Sequence, residues 1–397
     1  MRRIYLDYCS TTPVREEVLE SILPFFTKHS GNPSSSHHFG REAALALQES
    51  REKIACCINA HSDEIIFTSG GTEANNLAIR GVIRAHQKKG RHVIVSRIEH
   101  KSVLETCNNL EKEDISATYI PVDKNGVISL KELEDSIRND SVLISVMLAN
   151  NETGVIQPVK EIAKIAKENN IILHCDAVQA AGKIPVDVKD LGIDLLSISG
   201  HKLYAPKGIG ALYIKNGINI KPLFTGGHQE KGVRAGTENI PGIVGLCKAL
   251  ELAKEEMDYQ GKRLKNLRDG FENSLQSKIS GININGSGAD RLPHVSNIGF
   301  YGVEAEAVML HLEEKGIAVS SGSACTTGSP EYSHVLRAMQ VPPEIGHGSI
   351  RFSLGRETDV EDINYTVTVL EETVEKLREL SPVFKNYENK SKFPRNR

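Results

Sequence analysis

At 397 residues the chain exceeds the roughly 250–300 at which one hydrophobic core usually stops growing, so two domains are expected. Its 39% apolar and 25% charged residues suit an ordinary globular protein, and a net charge of −3 argues against nucleic acid or a membrane surface as partner. No apolar run approaches bilayer length and the Met1–Asp7 start lacks the apolar stretch of a signal peptide, so a cytoplasmic setting is expected by elimination. Cysteines stand at 9, 56, 57, 107, 175, 247 and 325, an odd number without a C-x-x-C pair. That spacing speaks against a disulfide framework and against a metal site. Most of them, Cys56, Cys57 and Cys175 included, read as small buried hydrophobes.

Strand-like and helix-like segments alternate through the first half. An apolar run at 64–68 precedes a helical pattern from Thr72 to about Lys89, then a strand at 92–96, a helix around 102–111 and a strand at 117–122. Ser129-x-x-Glu132 has the form of a capping box and leads towards the apolar strand 142–148. A helix at 159–168 is followed by strands at 171–175 and 195–199, and Gly210–Ile214 has the look of an antiparallel strand. Short apolar strands separated by helices predict a largely parallel sheet covered on both faces, with ligands bound outside the carboxyl ends of its strands. A long Lys-, Glu- and Leu-rich helix from about Ile243 to Ser277 changes the rhythm, and shorter strands at 282–285, 295–300, 318–320 and 349–354 follow. Thr358-x-x-Glu361 is expected to cap the last helix. The expected organisation is an N-terminal segment 1–15 packing with the smaller domain, a large α/β domain 16–250, a small α+β domain 251–380 and a basic, mobile tail 381–397.

Three strand ends attract attention. Ser69-Gly70-Gly71-Thr72-Glu73 is a Gly-rich turn whose amides, with the following helix N-terminus, would cradle a phosphate; alone, such a turn is more often plain turn chemistry. Asp176-Ala177-Val178-Gln179 puts a carboxylate directly after an apolar strand, where it could cap a helix or pair with a protonated ring nitrogen. Ser199-Gly200-His201-Lys202 holds a lysine at the mouth of the sheet, where desolvation would free its amine for a Schiff base. Phosphate cradle, pyridinium partner and amine, in that order on a parallel sheet, match the binding pattern of pyridoxal phosphate.

Together with Glu99-His100, Asn150-Asn151-Glu152-Thr153-Gly154, Arg234-Ala235-Gly236-Thr237 and Ser320-Ser321-Gly322-Ser323-Ala324-Cys325, these motifs make the chain resemble a cysteine desulfurase of the NifS/IscS class. That class lies within the class V aminotransferases, and the resemblance runs from Tyr5 to Pro382. It implies a fold-type I pyridoxal 5'-phosphate enzyme with a mostly parallel, seven-stranded-type sheet and a smaller α+β domain. By the same resemblance, Lys202 carries the cofactor and moves protons, His100 stacks on its ring, Asp176 faces the ring nitrogen and Gln179 the ring hydroxyl. Gly71, Thr72, Ser199 and His201 hold the phosphate, with Thr237 reaching in from the second subunit of a homodimer. Asn151 and Arg351 bind the carboxylate of L-cysteine, and Cys325 takes its sulfur as a persulfide. A sulfur-acceptor protein, such as an iron–sulfur cluster scaffold or a tRNA-thiolation relay, would follow. Selenocysteine lyase, aminotransferase and a retired scaffold are the competing readings; the first two do not need the small-residue loop around Cys325, and the full set of Lys202, Asp176, His100 and Cys325 speaks against the third. Cys9-Ser10 departs from common family forms and receives no role.

Overall fold

The computed structural model describes residues 3–321, 332–381 and 384, so Cys325 and nearly all of the basic tail lie outside the described residues. The strands are β1 (Ile4–Tyr5), β2 (Ile65–Thr68), β3 (His92–Ser96), β4 (Ser116–Ile120), β5 (Ser141–Met147), β6 (Ile172–Asp176), β7 (Leu195–Ser199), β8 (Gly210–Ile214), β9 (Ile282–Ile284), β10 (Val295–Phe300), β11 (Ile317–Ala318) and β12 (Ser349–Ser353). Seven of them form one sheet in the order β2-β8-β7-β6-β5-β3-β4. The run from β4 to β7 is parallel, and β8 lies antiparallel to both β7 and β2.

The apolar runs explain this sheet. Every residue of β3, β5, β6 and β7 is buried, which requires cover on both faces. Successive side chains point to opposite faces. Val93, Val95, Leu143 and Leu195 accordingly enter one core with the Gly71–His86 and Lys101–Glu111 helices. Their neighbours Ile94, Ile144 and Leu196 enter another on the opposite face, with the Val159–Glu168 helix. The result is an α/β fold with a mostly parallel central sheet.

One helix of 39 residues, Ile240–Lys278, serves two cores. Its buried residues fall in two groups, Ile240 to Leu250 against the large sheet and Leu264 to Leu275 against a second core, with none between. The second core packs a three-stranded sheet, β12-β10-β9, against this helix and the Val360–Leu380 helix. β1 runs parallel to β11, and Ile4 and Leu6 are buried in the same core. Ile4 and Leu6 are thereby held on the second core, and the residues after them are delivered to the carboxyl ends of β6 and β7.

Some local expectations need correction. The last helix is capped by Asp359, which forms a reciprocal box with Asp362, and not by Thr358. A carboxylate one residue later reaches the first-turn amides, while the Thr358 hydroxyl accepts from Gly355 N–H. Ser129 caps its helix through Glu132 N–H. The strand expected at 318–320 is Ile317–Ala318, its length set by pairing with β1. Cys56 is exposed at the end of the His38–Cys57 helix, on the face turned away from the core, so it is no buried hydrophobe; Cys9, Cys107, Cys175 and Cys247 are buried.

Phe271 is fully buried and meets Phe352 edge-on, with ring centroids 5.0 Å apart. Phe271→Ala is expected to lower unfolding stability by about 3–5 kcal/mol, measured by denaturant titration followed through loss of far-ultraviolet circular dichroism. A change below about 1 kcal/mol would show that the second core does not depend on this pair.

Candidate active site

The carboxyl ends of β2, β3, β5, β6 and β7 open on one side of the sheet, and a cavity of about 570 Å³ lies there. Gly71, Thr72, His100, Asn151, Asp176, Gln179, Ser199, His201, Lys202 and Arg351 all line it. Thr237 does not; it is exposed on the surface of this chain. Cys325 lies outside the described residues, which resume at Tyr332.

The Gly-rich turn is built for close approach. Gly70 adopts φ +150°, a conformation almost restricted to glycine. A Cβ on Gly71 would stand 2.7 Å from Val178 Cγ2 and 3.4 Å from Ser199 Cβ, so the turn lies directly against the ends of β6 and β7. The first-turn amides of the Gly71–His86 helix give this spot a partial positive charge suited to an anion. Glu73 closes the outside of the turn, accepting from Ser69 N–H at 2.7 Å and from Arg234 Nε at 2.9 Å. Arg234 belongs to the segment that ends at Thr237. That segment is fixed further by the buried Arg51–Glu230 pair at 2.6 Å, with Glu230 also accepting from Phe67 N–H.

Asp176 ends β6 with its Oδ1 accepting from Val178 N–H at 2.9 Å and its Oδ2 from Asn75 Nδ2 at 2.7 Å. His100 caps the Lys101–Glu111 helix, its Nδ1 accepting from Ser102 N–H. Desolvation by the cavity walls holds its pKa below the usual imidazole range; Lys202 adds to this and Asp176 opposes it. His201 is pushed down to about 4 by burial, helped by Lys202 and Lys207, so it stands neutral and bonded to Thr11 Oγ1 at 3.2 Å.

Lys202 follows β7, the neighbour of β6, so the connection between them brings lysine and carboxylate to adjacent strand ends. Its amine donates to the backbone carbonyls of Cys9 and Ser10, both at 2.6 Å. Burial lowers its pKa to about 8, with Arg351 pushing the same way and Asp7 and Asp176 opposing. Gln179 Nε2 donates to the same Cys9 carbonyl at 3.0 Å. Arg351 projects from β12 and is almost fully buried. It donates to Asn151 O (2.9 Å), Asp7 Oδ1 (2.7 Å) and Ser10 Oγ (2.8 Å), and its Nε–H has no partner among the described residues.

Several lining residues escape sequence reasoning: Cys9, Ser10, Thr11, Asn75, Lys101, Ser102, Glu152, Lys207 and His334. Asn75 had a usable signal, since it lies one helical turn beyond Gly71–Thr72 and so shares their face. Lys101 and Ser102 follow His100 directly. Nothing local marks Cys9–Thr11, which the β1–β11 pairing brings in from the chain start.

These residues fit pyridoxal phosphate. A glycine turn at a helix start could accept a phosphate, the buried carboxylate at the end of β6 could face a ring nitrogen, and the desolvated amine beside the neighbouring end of β7 would complete the set. Fold and site together define a fold-type I pyridoxal-phosphate enzyme. The aminotransferase class-V profile matches residues 4–366. The chain is 55% identical over 381 residues to cysteine desulfurase IscS of Dictyoglomus turgidum, across 96% of this chain and 97% of the relative. It is similar in structure to a NifS-like protein, with TM-score 0.89 and 38% identity over 94% of this chain and 100% of that one. A NifS-like protein from Rickettsia africae gives TM-score 0.86 and 34% identity, covering 94% and 100%. The chain belongs to the aminotransferase class-V family and, within it, to the cysteine desulfurases of the NifS/IscS class.

Without cofactor, Lys202 should react with a small aldehyde under reducing conditions with a midpoint of about pH 8, well below the ~10.4 of an ordinary lysine. The lowered pKa leaves the amine unprotonated above the midpoint, so reactivity rises with pH. Arg351→Met removes a cation and should move the midpoint upward. Peptide mass spectrometry across pH 6–11 (approximate range) measures both, and a wild-type midpoint near 10 contradicts the desolvation argument.

Proposed function

We infer that the protein is a pyridoxal-phosphate-dependent cysteine desulfurase: L-cysteine and the Cys325 thiol give L-alanine and a Cys325 persulfide. The observation that carries this reading is the desolvated Lys202 amine set beside the Asp176 strand end in a cavity that Arg351 also lines. When bound, pyridoxal phosphate supplies an electron sink that weakens the bonds at an amino acid's Cα and Cβ. Lys202, with a pKa close to working pH, takes and returns the Cα proton at Nζ. His100, which lines the cavity, would stack on the ring, and Gln179 would supply a donor to a ring oxygen. Gly71, Thr72, Ser199 and His201 receive the phosphate, and Asn151 with Arg351 receives the substrate carboxylate; a guanidinium fork suits that group.

The sulfur step needs a thiolate that can reach the cavity. Among the described cysteines only Cys9 lines it, and burial pushes that thiol up. Cys107 and Cys247 are pushed to about 12 in the same way. Cys325, in a run of small residues just beyond Ser320–Ser321, remains as the acceptor. Ser320, five positions before Cys325 in the sequence, pairs with Arg351 on β12.

The reading extends to a homodimer in which Thr237 completes the partner's phosphate site. The exposure of Thr237 on a segment clamped at Glu73 and Arg51 supports this. A cytoplasmic setting is supported by the described cysteines, all of which are free thiols. The persulfide sulfur then passes to an acceptor protein such as an iron–sulfur cluster scaffold.

The test is alanine release from cysteine with a thiol reductant. Lys202→Ala should lower it by at least about 10²–10⁴-fold. Cys325→Ala should retain cofactor and bind cysteine yet release almost no alanine. Brief exposure of the wild type to cysteine should add one reducible sulfur to the Cys325 peptide in non-reducing mass spectrometry. Full turnover by Cys325→Ala, or the added sulfur on Cys9, Cys107 or Cys247, would refute the assignment.

A further inference from the structure

Four polar groups beside the cavity form an unbroken chain. Asn75 Nδ2 gives one hydrogen to Asp176 Oδ2 at 2.7 Å and the other to Ser102 Oγ at 2.8 Å. Ser102 Oγ stands 2.8 Å from His100 Nδ1, which also accepts from the backbone N–H of Ser102 at 3.1 Å. The direction of the chain follows from what each group can donate. A carboxylate only accepts, so the Asn75 amide must turn its nitrogen towards Asp176. Ser102 Oγ accepts the second amide hydrogen and passes its own hydrogen to His100 Nδ1. That ring nitrogen then faces two donors and cannot carry a hydrogen itself; the ring's hydrogen belongs on Nε2.

Asn75 accepts a cost to stand this way. It is 1% exposed, and its Oδ1 has no hydrogen-bond partner among the described residues. A buried amide oxygen left unpaired is unfavourable, and an apolar side chain of similar shape would avoid the loss. Helix packing therefore does not explain the amide, whereas two placed hydrogens do.

We propose that Asn75 and Ser102 are positioning residues that fix the hydrogen of His100 on Nε2 and tie that ring to the Asp176 carboxylate. The inference rests on reading His100 and Asp176 as the residues that face the cofactor ring. The chain makes His100 reluctant to take a second proton, because protonated Nδ1 would confront the Ser102 N–H and O–H together. The charged and titratable groups around the ring are Asp176, Lys202, His334 and Lys101. Of these, Asp176 is linked to it through hydrogen bonds.

The test uses holoenzyme labelled with ¹⁵N-histidine, the His100 signal being assigned by its loss in His100→Gln. Wild-type His100 should show an unprotonated Nδ1 and a protonated Nε2 at neutral pH. Ser102→Ala should raise its protonation midpoint by about half to one pH unit, the effect of losing one hydrogen bond to the neutral form. Ser102→Thr should restore it. Asn75→Ala should shift the midpoint in the same direction by less, and should add nothing in a Ser102→Ala background, because its influence runs through that hydroxyl. An unmoved midpoint in Ser102→Ala overturns the proposal. So does an Asn75→Ala shift of equal size with and without the hydroxyl, which would mark a purely structural effect. Ring titration is read without turnover. Failure of the wild type to release alanine from cysteine would thus remove the desulfurase reading and leave this result standing.

Discussion

The amine of Lys202 is pulled in two directions. Burial at the end of β7 favours its neutral form, while two backbone carbonyls at 2.6 Å favour its protonated form. Burial is the larger influence, with Asp7 and Asp176 opposing it, and the amine is lowered to about 8 from the ordinary lysine range. The carbonyls belong to Cys9 and Ser10, so the balance exists only while the chain start lies across the sheet. Thr12 holds it there, donating to His201 O and accepting from Tyr204 N–H on either side of Lys202. Ile4 and Leu6 anchor the same segment in the second core.

Arg351 makes a comparable demand from the other side. Its guanidinium is 3% exposed and lies against Asp7, which neutralises a charge that would otherwise be costly to bury. An incoming carboxylate would meet a cation already oriented by Asp7, Ser10 and Asn151, and would need little side-chain ordering. Residues of both cores therefore face each other across the cavity. The Ile240–Lys278 helix spans those cores and sets their separation.

The sheet was legible in the sequence because strands buried on both faces leave continuous apolar runs. The period-2 exchange between Val93, Ile94 and Val95 follows from the same pleat. The strand-end positions of Asp176, Lys202 and the Gly70–Gly71 turn were legible for a related reason: chemistry in such sheets collects where apolar runs stop. What escaped was whatever depends on distant contacts. No local pattern tells that carbonyls at positions 9 and 10 meet an amine at 202, or that Asp7 pairs with Arg351 across 344 residues. The cap of the last helix lies a single position from its expected place, at Asp359 and not Thr358, because both residue types can accept from a first-turn amide. Cys56 shows the limit of composition, since helix phase and not residue type placed it outside.

Beneath the cavity the floor is polar yet almost uncharged, and this gives Asp176 its influence. Ser145, His174 and Ser197 bond side by side across β5, β6 and β7 at 2.8 and 2.9 Å. Burial holds His174 down to about 3, so the ladder carries no charge. Glu99 accepts from Met147 N–H, and burial, reinforced by Asp176, raises it to about 8, which leaves it protonated at neutral pH. A second carboxylate charge so close would compete with Asp176 for any cation above the floor. With Glu99 and His174 neutral, neither adds a charge of its own beside Asp176 from within the sheet. In a site of low dielectric the Asp176 charge is what can keep a ring nitrogen protonated. The apolar strands below the site thus serve its electrostatics as well as the fold: the burial they impose holds Glu99 and His174 neutral beside Asp176.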